Sequence, residues 1–168
     1  MPRLHKFIYH KLLRRPRLRM EAGIINSLPG KTVLDVGYFD DCLKGFLRTD
    51  FDYFGIDPSP ARAMEGMPKA AIDDFLPEKK FDIVIASNIL EHVNNPVLAM
   101  RKLKELSAKY VCIGVPHEPY FTLFRFFVPE PEHLWTIHPN SLAFYFGKPV
   151  MEKFIQFRRF YYAVFKID

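Results

Sequence analysis

Two acidic residues stand where a carboxylate could bind the sugar of a nucleotide-like ligand. Asp35 ends an apolar run at 32–36, just before Gly37, and Asp57 follows Gly37 by twenty residues. At that spacing, a carboxylate on a second strand accepts hydrogen bonds from both hydroxyls of a ribose lying over the first turn. Each acid also has a simpler interpretation, because Asp35 could brace its loop and Asp57-Pro58 is a common turn opener.

A cluster of histidines lies between the fifth apolar run and the C-terminal strands. His117, His133 and His138 stand there among acidic and aromatic residues. A histidine that titrates near neutrality can take a proton from a hydroxyl or an amine, so one of these three could act as a general base. The neighbouring aromatic residues are typical of a core, and they could also enclose an apolar or planar substrate.

Short apolar runs that alternate with helical patterns must position these residues. The alternation predicts an α/β fold with a three-layer, doubly wound, mostly parallel sheet, closed by a C-terminal antiparallel hairpin. Ligands bind such sheets at the carboxyl ends of the strands. Strands are predicted at 32–36, 53–56, 70–72, 81–86, 110–115, 151–157 and 161–167, and helices at 41–48, 59–64 and 95–106.

The positive charge is concentrated at the start of the chain. The 168 residues carry a net charge of +5, but residues 1–20 alone carry +7. We therefore divide the chain into a basic helical arm at 1–29 and an α/β domain at 30–168, with 118–147 as a lid or substrate-facing segment. In the arm, helices are predicted at 2–16, where Pro16 would stop the first, and at 20–28.

The basic arm has three interpretations. It could pack on the domain, close over a bound ligand as a flap, or attract an anionic membrane surface or acidic partner. Specific nucleic-acid binding is not expected, because the body offers no aromatic-basic platform of a known type. No apolar run approaches the roughly 20 residues that span a bilayer, and the start lacks the apolar stretch of a secretory signal, so we expect a cytoplasmic protein.

The two cysteines favour neither a disulfide framework nor a structural zinc site. Cys42 and Cys112 lie far apart in the sequence, with no Cys-x-x-Cys motif and no Cys/His pairing. We interpret both as reduced packing residues.

The motifs together make the family recognisable. Val33-Leu34-Asp35-Val36-Gly37, Gly55-Ile56-Asp57 and the string Phe81 to Val93, with Leu90-Glu91-His92-Val93 at its end, resemble the class I S-adenosylmethionine (SAM)-dependent methyltransferases. Asn95-Pro96 and Val115-Pro116-His117-Glu118-Pro119 extend the likeness to the small-molecule branch called type 11. The resemblance covers the chain from about Gly30 onward and implies a Rossmann-like sheet of seven strands.

The resemblance also implies roles for single residues. Asp57 would bind the ribose of SAM, Gly37 and Asp35 its methionine side, and Ile72 with Asp73 its adenine edge. Asn88, His117 and His92 are the candidates for the catalytic side that faces the acceptor, although His92 could instead pack or cap a helix. Some relatives with Glu-x-x-Glu-His bind a divalent metal at this place. Asn88 replaces the first of those acids, so no metal is expected.

The chain departs from the family at its glycine-rich loop. Where relatives have Asp-x-Gly-x-Gly-x-Gly, Phe39 and Asp41 replace the second and third glycines. The resemblance implies SAM-dependent methyl transfer to a small or lipid-like acceptor. The missing glycines favour the alternative, a catalytically inactive methyltransferase-like binding or partner subunit. A nucleotide-binding oxidoreductase domain is disfavoured, because the Gly-x-Gly-x-x-Gly fingerprint is absent.

Overall fold

The computed structural model describes residues 14–61, 64–117, 133–156 and 158–167. Within these ranges six strands form one sheet in the order β2-β1-β3-β4-β6-β5. Strands β1 to β4 are parallel, and β6 pairs antiparallel with both β4 and β5. The predicted mostly parallel sheet with a closing hairpin is confirmed. The strands are β1 (Thr32–Val36), β2 (Asp52–Ile56), β3 (Phe81–Ser87), β4 (Ser107–Pro116), β5 (Met151–Ile155) and β6 (Phe160–Lys166).

The expected seventh strand is not among the described strands. Of the residues predicted to form it, Ala70 and Ala71 are irregular and Ile72 begins a 3-10 turn, Ile72–Asp74. The apolar segment there is only three residues long, below the usual five or six of a strand, and two acids follow it. Ile72 instead buries its side chain in the core, where it is 5% exposed. The sheet therefore ends at β2.

One predicted helix is shorter than expected, and another is not helical in its described residues. The one predicted at 41–48 is a 3-10 turn, Lys44–Phe46. The described residues of the one predicted at 59–64 are not helical. Pro58 and Pro60 remove backbone donors from that connection, and the residue before a proline is biased away from the helical region.

Three helices cover the sheet in the described ranges: α1 (Arg15–Ser27), α2 (Pro96–Leu106) and α3 (Pro139–Phe146). Pro16 lies in the first turn of α1, where proline is tolerated because the backbone N–H has no intrahelical partner. The helix predicted at 2–16 otherwise lies outside the described residues. At α2, the Asn95 side chain accepts the N–H groups of Val97 and Leu98, at 3.1 Å each.

None of the helices in the described ranges combines the length and apolar character needed to cross a bilayer.

The two faces of the sheet pack into two separate cores. Val33 belongs to the core under α1, whereas Leu34 and Val36 belong to the core under α2 and α3. This follows from the strand period of two residues, which sends alternate side chains to opposite faces. By the same alternation Asp35 projects towards the α1 face, and this places its carboxylate in a largely apolar layer.

A glycine in the central strand β4 is required by close packing. A Cβ on Gly114 would lie 2.6 Å from Cζ of Phe160 and 2.7 Å from Oγ of Ser87, whereas a Cβ on Gly23 in α1 would meet nothing within 4 Å. We expect Gly114→Ala to lower the free energy of unfolding by about 1–3 kcal/mol, and Gly23→Ala to raise it by about 0.5–1 kcal/mol. Urea unfolding measures both. An alanine at 114 that left stability unchanged would contradict this packing.

Candidate functional site

The candidate site lies where the order of the strands reverses. The chain passes from β1 to β2 on one side and then returns to β3 on the other side of β1. The loops that leave β1 and β3 therefore diverge and open a crevice at the carboxyl ends of the strands. Gly37 follows β1 and Asn88 follows β3, so both lie at this crevice.

Two adjoining cavities of about 670 Å³ and 260 Å³ fill the crevice. The larger one lies within the range of small-molecule sites, about 300–1,000 Å³, and the smaller one lies just below it. Gly37, Asp57, Ile89 and His92 line both cavities, and all five predicted cofactor residues line at least one. The larger cavity is also lined by Arg14, Arg17, Asp35, Phe39, Asn88 and His133, and the smaller one by Ala71, Ile72 and Asp73.

The carboxylate of Asp57 joins the loops after β1 and β2. Its Oδ2 accepts the N–H of Phe39 at 3.1 Å, and its Oδ1 accepts the N–H of Ser59 at 2.7 Å. The residue is 8% exposed and lies at the junction of the two cavities. A carboxylate offers about four lone-pair sites. Two bonds to the backbone therefore leave capacity for the hydroxyls of a ligand.

The loop after β1 keeps a left-handed backbone at two positions. Gly37 has φ +74°, and a Cβ there would lie 1.8 Å from Cδ1 of Ile89. Phe39 has φ +52° although it carries a full side chain. A residue other than glycine in this region costs of order 1–2 kcal/mol. The loop therefore has left-handed backbone at Phe39, where relatives carry a glycine.

Arg14 ties the beginning of the described chain to this loop. Its guanidinium makes a bidentate ion pair with Asp40, at 2.7 and 2.8 Å, and lies over the ring of Phe39 at 5.2 Å. Phe39 lines the larger cavity with 45% of its surface exposed, and Asp41 lines neither cavity. The two residues that replace the family glycines therefore leave the cavity open.

Asp35 is a buried acid beneath the larger cavity. Burial raises its pKa from 3.8 to about 7, against the opposing effect of Tyr53, whose hydroxyl donates to Asp35 Oδ2 at 2.7 Å. The negative charges of Glu21 and Asp57 raise it further. Asp35 can therefore exchange a proton close to neutral pH, or stabilise a positive charge placed in the cavity.

Glu21 is a second buried acid, and no motif in the sequence marks it. It projects from α1, accepts the Ser87 hydroxyl at 3.0 Å, and lies 3.4 Å from Nε of Arg17. Burial raises its pKa to about 7, with Arg17 acting in the opposite direction. Its helical spacing could have revealed it, because Glu21 belongs to the buried stripe of α1 together with Leu18 and Ile25. An acid on such a stripe is costly without a partner.

Asn88 and His92 both line the larger cavity. Asn88 has φ +57°, and its backbone N–H donates to the carbonyl of Gly114 at 2.8 Å. Its Oδ1 is buried and makes no hydrogen bond to any described residue. A buried amide oxygen normally has a donor, so a ligand hydroxyl or amine is a suitable partner. His92 packs its ring against that of His133, with centroids 4.7 Å apart.

His117 does not reach either cavity, contrary to its predicted place beside the acceptor. Its backbone N–H donates to the carbonyl of Arg159, and its Nδ1 lies 2.8 Å from the carbonyl oxygen of Arg158. Because a carbonyl can only accept, Nδ1 carries the proton. The ring packs against Phe154, so the turn between β5 and β6 holds this histidine. Of the remaining segment predicted as a lid, 118–132 lies outside the described residues.

The fold and the crevice define a class I methyltransferase architecture, and the family comparison agrees. A family model described as a methyltransferase domain matches residues 5–148, which is most of the chain. The chain belongs to this methyltransferase-domain family, among the class I SAM-dependent methyltransferases. It is also 34% identical, over 65 residues, to an uncharacterized protein of Mycobacterium tuberculosis H37Rv. That match covers 34% of this chain and 22% of the relative, so the chain spans about a fifth of the relative's length.

Solved structures of methyltransferases share the fold over nearly the whole chain. A SAM-dependent methyltransferase from Archaeoglobus fulgidus superposes with a TM-score of 0.69 at 17% identity, covering 97% of this chain and 99% of that one. The N-methyltransferase NodS from Bradyrhizobium japonicum WM9 gives a TM-score of 0.64 at 11% identity, covering 92% and 94%. At such identities the likeness establishes the fold.

Because Phe39 has a left-handed backbone, we expect glycine to be more stable than alanine at this position, the reverse of the usual order. Phe39→Ala and Phe39→Gly both remove the ring, but only glycine relieves the φ of +52°. We expect Phe39→Gly to be more stable than Phe39→Ala by about 1 kcal/mol, measured by urea unfolding. At a position with ordinary backbone, alanine would be the more stable of the two, and that order would contradict the loop conformation.

The buried acids predict that stability falls as the pH rises. Between about pH 4 and pH 7 the folded chain holds protons on Asp35 and Glu21 that the unfolded chain has released, so the free energy of unfolding decreases through that window. Asp35→Asn keeps an acceptor for Tyr53 and removes one titrating group. We expect it to lose less stability than the wild type between about pH 5 and pH 8, by at least about 1 kcal/mol.

Urea unfolding at the two pH values measures this difference. Glu65→Gln, at an exposed carboxylate, is the matched control and should follow the wild type. Equal pH dependence in Asp35→Asn and the wild type would show that Asp35 is not held protonated by burial.

Proposed function

We propose that this chain binds SAM across the two cavities and transfers its methyl group to a small or lipid-like acceptor. The observation that carries the proposal is the place of Asp57. Its carboxylate lies between a smaller, mainly apolar cavity and a larger, charged one, and backbone N–H groups hold it there. A nucleoside joined to an amino acid needs an apolar cavity for its base, an acceptor for its ribose and a charged cavity for its amino acid part.

The residues of the crevice fit each part of SAM. The smaller cavity offers Ile56 and Ile72 to a flat adenine ring, with Asp73 at its edge. Asp57 has acceptor capacity for the ribose hydroxyls. The larger cavity carries Asp35 as well as Arg14 and Arg17, so it presents both signs of charge to the amino and carboxylate groups of the methionine part.

SAM supplies a methyl group on a positively charged sulfur, and the chain contributes mainly by positioning an acceptor against it. Asn88 and His92 line the larger cavity. The Oδ1 of Asn88 can orient an acceptor hydroxyl or amine, and the ring of His92 can take up its proton. Neither role requires His117, which the hairpin turn holds elsewhere.

A catalytically inactive binding or partner subunit is the second candidate. Phe39 and Asp41 in place of glycines favour it, whereas the open cavity beside Phe39 supports SAM binding. The candidates differ in turnover. An enzyme that binds SAM releases S-adenosylhomocysteine when it meets its acceptor, and an inactive subunit retains SAM unchanged.

Titration calorimetry with SAM and S-adenosylhomocysteine tests the proposal. We expect binding by the wild type and a loss of about 10- to 100-fold in affinity for Asp57→Ala, because hydrogen bonds to a charged group contribute about 1.5–3 kcal/mol. Asp52→Ala, at an exposed acid of β2, the strand that precedes Asp57, should bind as the wild type does. Thermal unfolding checks that each variant is folded. Absent binding by the wild type, or equal affinity in Asp57→Ala, would contradict the proposal.

A further inference from the structure

Two large apolar side chains are exposed beside the larger cavity. Leu134 and Trp135 are 56% and 42% exposed, and they directly follow His133, which lines that cavity. The backbone N–H groups of both residues donate to the carbonyl of Glu91, at 2.8 and 3.2 Å. The indole N–H of Trp135 donates to the carbonyl of Val93 at 2.8 Å. These three bonds hold Leu134 and Trp135 at the carboxyl end of β3.

More apolar surface is exposed at the same end of β3. Val97 and Leu98 lie in the first turn of α2, which begins a few residues after β3 ends, and each is about half exposed. Single exposed apolar side chains are ordinary, but a group of them at the rim of a binding crevice is typical of a contact surface.

Two arginines lie at the carboxyl end of β4, the strand next to β3. Arg158 and Arg159 belong to the turn between β5 and β6, and both are exposed. The backbone N–H and Nδ1 of His117 lie 2.8 Å from the carbonyl oxygens of Arg159 and Arg158, so the turn is fixed against the end of β4. Arg158 and Gln156 have φ of +63° and +52°. Strained backbone of this kind is concentrated at functional sites.

The start of the chain brings further positive charge to this end of the sheet. Arg14 is paired with Asp40 in the loop after β1, and Arg17 lines the larger cavity, so α1 begins beside the crevice. Residues 1–13, which precede it, carry three Lys and Arg residues and no acid. The acid among the described residues that bind Leu134 and Trp135 is Glu91, and it is buried.

We propose that this end of the molecule docks on an anionic lipid bilayer. Binding at a bilayer surface combines burial of apolar area with attraction between basic residues and anionic headgroups. Tryptophan suits the boundary between headgroups and acyl chains, because it joins a large apolar ring to a polar N–H. A nucleic acid would engage the arginines but leave the apolar side chains in water. The docking surface consists of Val97, Leu98, Leu134, Trp135, Arg158 and Arg159.

Docking in this orientation would turn the crevice towards the bilayer, because His133 lines the larger cavity directly beside Leu134. An acceptor could then enter the crevice from the membrane. This consequence rests on the proposed function, and it narrows the acceptor to a lipid or to another compound dissolved in the bilayer. Docking itself requires no SAM and can be measured alone.

Binding of the full chain to lipid vesicles tests the surface. Trp135 is the only tryptophan in the sequence, so its fluorescence reports on this surface directly. Vesicles of phosphatidylcholine with about 30% phosphatidylglycerol should shift the emission to shorter wavelength, and vesicles of phosphatidylcholine alone should bind about 10-fold more weakly or less. Added salt should weaken binding to the anionic vesicles, because it screens the headgroup charge.

Two variants separate the contributions of charge and apolar surface. Arg158→Asn combined with Arg159→Gln removes both cations but keeps the carbonyls that bind His117, and asparagine tolerates a left-handed backbone. We expect this double variant to bind anionic vesicles about 10-fold more weakly or less. Leu134→Ser should weaken binding by about 5-fold or more, since it removes apolar area that the bilayer would bury.

Matched controls make the same changes before β3, at the opposite end of the sheet. Lys79→Asn combined with Lys80→Gln removes two adjacent exposed cations, and Leu76→Ser removes an exposed leucine. We expect both controls to bind vesicles as the wild type does. Thermal unfolding checks that every variant is folded.

Three outcomes would overturn the docking surface: no binding of the wild type to anionic vesicles, binding without a change in the emission of Trp135, or equal losses in the variants and their controls. A chain that binds heparin or duplex DNA but no vesicle would have a general polyanion surface instead, which also overturns the proposal. If vesicles bind and SAM does not, the docking surface stands and the proposed function fails.

Discussion

The carboxylate of Asp57 accepts one backbone N–H from the loop after β1 and one from the loop after β2. Hydrogen bonds to a charged acceptor are stronger than those between neutral groups, so this one side chain fixes the distance between the two loops. It also holds the N–H of Phe39 while that residue has a left-handed backbone. Arg14 binds the same loop through its ion pair with Asp40. The two cavities that meet at Asp57 depend on it.

Beneath this loop, helix α1 forms part of the floor of the larger cavity. Glu21 reaches Ser87 at the end of β3, and Asp35 on β1 is bonded to Tyr53 on β2. Both acids are buried, and the pKa of each is raised to about 7. The fold therefore keeps two poorly solvated carboxylates next to a cavity that presents Arg14 and Arg17. A ligand with a positive charge can lower the cost of ionising these acids.

Much of the scaffold could be predicted from sequence, because buried parallel strands leave continuous apolar runs and their ends collect polar residues. The runs that became β1, β3 and β4 are examples, as is the placement of Asp57 at a strand end. The edge of the sheet at 70–72 could not be predicted, since a segment that short is decided by tertiary packing. His117 was expected at the cavity because it follows β4, but the turn between β5 and β6 captures its ring. Glu21 and His133 join the site through contacts distant in sequence, which leave no local pattern.

A crystal structure of the chain grown with S-adenosylhomocysteine tests the central claim most directly. The account predicts the ribose hydroxyls on the Asp57 carboxylate, the adenine in the smaller cavity near Ile72, and the amino acid part in the larger cavity between Asp35 and Phe39. The N–H of Phe39 should still donate to Asp57 in that complex. A ligand bound elsewhere, or a Phe39 ring occupying the larger cavity in its place, would contradict the account.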